Sequence, residues 1–228
     1  MARAVVLLSG GLDSTVTLAY ALSQGDDVVP LTIRYGQRHE RELFAAKDVA
    51  SYYGLEDHVI MDLDLRCFSS SALTSMDIEV PERGSVEAIK DEIPVTYVPA
   101  RNIVFLSIAA GLCECHDAER MYIGANAVDY SGYPDCRPEF FRQYQKVLEV
   151  GTKTGVEGRP VSIITPILRM TKGEIVSLGR ELNAPLHLTW SCYKGGEKAC
   201  GKCDSCLLRL KGFSEAGMED PVPYEGER

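Results

Sequence analysis

The sequence predicts an α/β fold: a parallel, doubly wound sheet of five strands covered by helices on both faces. Three observations predict it. Short apolar runs alternate with stretches of helical period, the pattern of a parallel sheet buried on both sides. The first run ends in a Gly-rich turn that opens a helix, Leu8-Ser9-Gly10-Gly11-Leu12-Asp13-Ser14-Thr15. The 228 residues suffice for one large core with a small appendage.

Strands are expected over residues 4–8, 28–33, 59–63, 121–124 and 162–165. The first helix covers 14–24, with Leu12, Val16, Ala19 and Leu22 near one face and Gly25 ending it. The second covers 40–53, with Leu43, Ala46, Ala50 and Tyr53 inward and Gly54 stopping it. Residues 102–113 are apolar nearly all round, which predicts a buried helix. Pro138 suits the first turn of another helix, whose Phe141, Tyr144 and Leu148 share a face. Thr171 and Glu174 have the spacing of a capping box, opening a helix that ends near Leu182. Residues 64–93 are polar, Ser-rich and without sustained period, and are expected to form a lid or an edge excursion, with disorder the competing reading. The expected organisation is a sheet domain over 1–186 with that excursion, a cysteine module over 187–214 and a flexible tail over 215–228, where there is little to bury.

The formal charge of −9 opposes non-specific capture of a polyanion, so no nucleic-acid partner is expected. Residues 1–8 carry only Arg3 and a short apolar stretch, which predicts no signal peptide, no membrane span and a cytoplasmic location.

The Gly-rich turn is a place to hold phosphate. Glycines allow close backbone approach, successive amides form a nest, and the helix N-terminus attracts an anion. A Walker A loop carries Lys directly before its final Ser or Thr, whereas Asp13 stands there, which disfavours ordinary γ-phosphoryl transfer. The competing reading is a tight strand-helix connection. The residues assigned to the phosphate-bearing ligand are Leu8, Ser9, Gly10, Gly11, Leu12, Asp13, Ser14, Thr15, Val16, Thr17 and Leu18.

Cys192, Cys200, Cys203 and Cys206 supply four thiolates within fifteen positions, the demand of a closed tetrahedral zinc site. An iron–sulfur cluster and a sulfur-transfer thiolate pair are the rivals. In the Tyr35-Gly36-Gln37-Arg38-His39-Glu40-Arg41 cluster, either Arg38 or His39 touches a ligand, or the arginines pair with Glu40 or Glu42 on a solvated helix start. Arg101 at the mouth of an apolar helix favours an anion partner. Lys172 opposes the helix dipole, an oddity relieved by a phosphate at the same helix end. Residues 124–137 are dense in turn formers, carboxylates and aromatics, and read as a binding loop against ordinary turns.

Taken together, SGGLDST, YGQRHERE, VPARN, DYSGYPDCR, TPILRMTKGEI and WSCYKGGEKACGKCDSC resemble the 7-cyano-7-deazaguanine synthase family of queuosine and archaeosine biosynthesis, one of the pyrophosphate-loop ATP pyrophosphatases. The resemblance implies a Rossmann-like fold of the adenine nucleotide alpha hydrolase type, structural zinc, and ATP with Mg²⁺. It implies 7-carboxy-7-deazaguanine and ammonia as the other substrates, and a ligase forming carbon–nitrogen bonds through an adenylated acid and then an adenylated amide. On that reading Asp13 organises Mg²⁺ or pyrophosphate, Lys172 and Arg101 join it as catalytic residues, and Asp129, Tyr130, Tyr133, Asp135 and Arg137 bind the deazaguanine. Ala100 stands where members commonly have Gly, and Asn126-Ala127 where many have a Cys-Glu pair. A tRNA-thiolating pyrophosphate-loop enzyme and a nucleotide- or zinc-binding module without turnover are the alternatives. Oligomeric state, including a homodimer, and the choice of pathway are left open.

Overall fold

The computed structural model describes residues 1–68, 70–89, 92–128 and 132–226. Five parallel strands, β1 (Arg3–Leu7), β2 (Asp27–Arg34), β3 (Val59–Asp62), β4 (Arg120–Ile123) and β5 (Ser162–Ile164), are ordered β3-β2-β1-β4-β5. In register, Val5 of β1 lies between Val29 of β2 and Met121 of β4. Successive side chains of β1 enter different cores, as the two-residue period of a strand requires. Val5 and Leu7 meet α3 (Arg101–Cys115) and α4 (Pro138–Gly151), while Ala4 and Val6 meet α1 (Leu12–Ser23) and α2 (Arg41–Tyr52). A short α5 (Lys153–Val156) follows α4.

α6 (Lys172–Glu181) begins with the expected capping box, Thr171 accepting from the Glu174 amide and Glu174 from the Thr171 amide. It packs with α1 and with α7 (Asp204–Glu215) around Val16, Ile175 and Phe213. The chain moves from β1 to β2 on one side and returns to β4 on the other, so the carboxyl ends of β1 and β4 border a crevice at the switch point.

Three expectations change. First, α3 buries one face only: Leu106, Ala109, Ala110 and Cys113 are inside, but Ile103 is 41% exposed. An apolar circumference fixed its helical period but not its degree of burial. Second, of the readings of 64–93, disorder gives way: the segment is packed against the body where it is described. The Arg38 guanidinium donates to the carbonyls of Ala72 (3.0 Å), Ser75 (3.4 Å) and Ile78 (2.6 Å), and Leu65 and Leu73 join the main core.

Third, residues 216–226 fold back instead of trailing as a loose tail. Asp220 takes two bonds from the Arg209 guanidinium, 2.8 and 3.0 Å, in an ion pair whose side chains are each 3% exposed. Val222 is buried, Tyr224 donates to Asp220, and the amides of Ala199 and Glu225 bond across to Pro223 and Ala199. Composition showed little to bury here, but one buried ion pair and a short bridge suffice to order the segment. Removing one partner of such a pair strands the other charge and costs about 3–5 kcal/mol. Asp220→Ala is therefore expected to lower Tm by about 10 °C, read by calorimetry; an unchanged Tm would show that this segment contributes nothing to the fold.

Candidate active site

The loop after β1 is wired to itself. The Ser9 amide donates to Ser14 Oγ (3.2 Å), the two hydroxyls lie 3.0 Å apart, the Gly11 amide donates to Ser9 Oγ (3.3 Å), and Ser14 Oγ donates to the Gly11 carbonyl (3.1 Å). Gly10 has φ +82°, and a Cβ there would stand 2.3 Å from the Glu42 carbonyl oxygen and 2.5 Å from the Ala46 nitrogen. On the other side, a Cβ at Gly124 would meet the Asp13 backbone at 2.9 Å. Only glycine permits either approach.

A cavity of about 300 Å³ opens above this loop at the carboxyl ends of the strands. Leu8, Ser9, Gly11, Leu12, Asp13 and Ser14 line it, together with Lys172, Arg101 and Tyr133, so the structure brings the assigned loop and all three assigned catalytic residues to one wall. Lys172 Nζ bridges the two Asp13 oxygens at 2.9 and 2.8 Å. Arg101 lies over Tyr35 and Phe105, 5.7 and 5.9 Å from the ring centroids. Burial opposes its charge, but the neighbouring Tyr35, Tyr133 and Cys136 outweigh that and hold it firmly protonated.

Several assigned residues lie elsewhere. Gly10 sits under the loop against α2, and Thr15, Val16, Thr17 and Leu18 are buried in α1 away from the cavity wall. From Thr15 onward the helix carries the chain into the core. Asp135 is also outside the wall: its Oδ2 accepts from the Asn102 amide at 3.0 Å, capping α3, whose own N-cap Ala100 supplies no side-chain bond and stands in the left-handed region at φ +54°. Arg137 is the exposed N-cap of α4, and Asp129 and Tyr130 lie outside the described residues.

Of the Tyr35 to Arg41 cluster, Arg38 and His39 do reach the wall, but Arg38 is engaged with the 72–78 carbonyls. Arg34, not Arg38, pairs with Glu40, and Arg41 lies over the Trp190 ring. Glu42 is the residue the sequence did not single out. It faces the cavity, and burial pushes its carboxyl from the ordinary 4.5 to about 7, with Arg101 pulling down and Cys192 pushing up. Its sequence signal was weak because a Glu in a first helical turn is ordinary. Cys136 also lines the wall, and burial, with Asp135 beside it, pushes its thiol up to about 12.

The four C-terminal cysteines converge, all buried, with every Sγ within 4.8 Å of the others and Cys200 Sγ 3.9 Å from Cys206 Sγ. A tetrahedron of 2.3 Å bonds has an edge of about 3.8 Å, so the set could hold one metal ion. The Lys194 and Cys200 amides donate to Cys192 Sγ, and the Lys202 and Cys203 amides to Cys200 Sγ, each at 3.4 Å. Hydrogen bonds from Cys203 and Cys206 hold Cys192 far below the ordinary thiol range, while the same contacts push Cys203 up to about 12 and Cys206 further. The module touches the loop directly: the Trp190 amide donates to the Gly10 carbonyl at 2.9 Å, and its indole N–H to the Cys192 carbonyl at 3.1 Å. No helix among the described residues is long and apolar enough to cross a membrane.

Residues 3–217 match the family described as queuosine biosynthesis protein QueC. The 7-cyano-7-deazaguanine synthase of Acetivibrio thermocellus is 58% identical over 224 residues, 98% of each chain. Those of Thermoplasma acidophilum and Nostoc are 56% and 50% identical, over 98% and 97% of this chain and 92% and 97% of theirs. Among solved structures, the NMN synthetase of Francisella tularensis superposes with a TM-score of 0.50 at 13% identity, covering 96% of this chain and 78% of that one, a likeness of fold.

Two outcomes follow from this geometry. Cys206→Ser is expected to lower bound metal and Tm together, because metal binding and local folding are linked; metal analysis with calorimetry reads both, and full metal content in the variant would contradict the site. For Glu42, the raised carboxyl stabilises the fold below 4.5, and that contribution is lost as pH rises to about 7. Glu42→Gln does not titrate, so its Tm relative to the parent is expected to climb across that window and level off above it; a difference independent of pH would refute the assignment.

Proposed function

This chain belongs to the QueC family of queuosine biosynthesis proteins, and from that premise we propose that it is an ATP-dependent ligase converting 7-carboxy-7-deazaguanine and ammonia to 7-cyano-7-deazaguanine. The observation that carries the mechanism is the shared wall: the Ser9 to Ser14 loop, Lys172 and Arg101 face one cavity at the switch point of the sheet. A carboxylate oxygen of the substrate attacks the α phosphorus of ATP and pyrophosphate leaves. The Ser9 and Ser14 hydroxyls, prearranged by the loop's own hydrogen bonds, and Lys172 line the cavity where charge develops on the leaving oxygens. Arg101, permanently charged, suits the clamping of an anion on the substrate side. Ammonia displaces AMP from the acyl-adenylate to give the amide. A second adenylation, on the amide oxygen, lets loss of AMP and of the nitrogen-bound protons leave the nitrile.

Magnesium supplies charge neutralisation for the triphosphate when bound, and Asp13 is the loop carboxylate placed to meet it. Zinc fits the four cysteines as one closed ion with a structural role, and the 3.9 Å sulfur separation supports a single ion over a cluster. Tyr133 offers a ring to stack on the heterocycle, and Asp129 with Tyr130 remains the proposed recognition pair of the neighbouring loop. The reduced thiols and the use of ATP suit the cytoplasm.

Incubation with Mg-ATP, ammonium and the carboxylic acid is expected to yield the nitrile by mass spectrometry, with AMP and pyrophosphate as the other products. Asp13→Asn is expected to reduce turnover by about 10²-fold or more without loss of fold. Stoichiometric ADP and phosphate would overturn the reading of the loop, and a requirement for tRNA and a sulfur donor would point to the thiolating alternative.

A further inference from the structure

Among the described residues, two carboxylates line the cavity, Asp13 and Glu42. Both oxygens of Asp13 are taken by Lys172. Glu42 has no hydrogen bond or ion pair to any described residue. The cations of the same wall are mostly committed: Arg38 to backbone carbonyls, Arg209 to Asp220, Lys172 to Asp13. Arg101 and Glu42 are left facing one space without bonding each other, with the Tyr35 phenol and Cys192 as the other titratable groups near Glu42. Arg101 donates to the Tyr35 hydroxyl at 3.4 Å and neither it nor Glu42 has a bonded counterion among the described residues, so one cavity offers opposite charges to two substrates of opposite charge.

We infer that Glu42 is the ammonium subsite: its carboxylate binds the cation and takes the proton that must leave before nitrogen can attack. This rests on the ligase reading above, in which ammonia is a substrate. Near neutral pH ammonia is chiefly ammonium, which has no lone pair, so a cavity rich in arginine and lysine would repel it. One carboxylate without a bonded counterion supplies both the attraction and the base. The backbone of Glu42 is held against Gly10 by the close approach there, so the subsite keeps a fixed position relative to the phosphate loop.

The step balances. One N–H bond of ammonium breaks, the proton passes to a Glu42 oxygen, and the electron pair stays on nitrogen. That pair forms the C–N bond at the carbonyl carbon of the acyl-adenylate, and the C–O bond to AMP breaks with its electrons leaving on AMP. A second nitrogen proton passes to the departing phosphate or to water, and Glu42 returns its proton to solvent. Acyl-adenylate and ammonium thus give amide, AMP and two protons.

The test separates adenylation from nitrogen transfer. Adenylation is read as exchange of labelled pyrophosphate into ATP, dependent on the acid and requiring no ammonia. Nitrogen transfer is read as product formed from ammonium or from hydroxylamine, which is largely uncharged at neutral pH. In Glu42→Gln, transfer from ammonium is expected to fall about a hundredfold relative to exchange, and transfer from hydroxylamine much less. Glu42→Asp, which keeps an acceptor, is expected to recover part of the loss and serves as the test variant if the Gln form melts early. Equal loss of exchange and transfer, or equal loss with both nucleophiles, overturns the subsite and makes Glu42 a residue for the acid or the nucleotide. Absence of exchange in the parent protein overturns the ligase reading and the subsite with it.

Discussion

At Gly10 the phosphate loop and the first turn of α2 touch backbone to backbone, at a distance no side chain would allow. The rest of the site is arranged around that contact. It seats α2 on the loop and places Glu42 on the cavity wall, and it leaves the Gly10 carbonyl to receive the Trp190 amide from the cysteine module. The matching approach at Gly124 presses the end of β4 against Asp13. Gripped on both sides by main chain, the loop needs little rearrangement to meet phosphate charge, which is the condition under which fixed dipoles stabilise a leaving group best.

The cysteine module and the 64–93 excursion complete this arrangement. Ala72 and Val80 from the excursion and Ala45 from α2 pack with the cysteines, and Arg83 binds Asp204 at the start of α7 at 2.7 Å. His39 occupies the space a side chain at Gly195 would need. The buried cysteines thus form the centre on which α2, the excursion and the segment of Val222 converge. Through Trp190, which bonds both the Gly10 carbonyl and the Cys192 carbonyl, the module is tied to the loop that lines the cavity.

Features carried by local chemistry were legible in the sequence. The β-branched runs gave strands within a residue or two, Thr171 and Glu174 form the capping box that their spacing predicts, and the four cysteines meet as expected. What escaped depends on partners far along the chain. Asp135 looked like a ligand for a base, yet the donor that claims it is the Asn102 amide, left uncapped by Ala100. Asp220 looked solvated because its partner, Arg209, becomes buried only when α7 packs on α6. Glu42 was hidden for the opposite reason: among the described residues its carboxylate has no bonded partner, and a sequence displays residues without displaying which of them will be left so.

The Asp13–Lys172 bridge bears on how a cycle ends. In the proposed reaction each turnover discards pyrophosphate, and a loop that only attracted that anion would hold its own product. Lys172, however, has an alternative counterion 2.8 Å away within the same wall. As pyrophosphate loosens, the ammonium group can exchange one anion for another without passing through an unpaired state in a cavity where its side chain is 12% exposed. On the proposed reaction Asp13 is thus an internal competitor for Lys172, a route for product departure by stepwise handover that lets the loop grip during chemistry without becoming a trap afterwards.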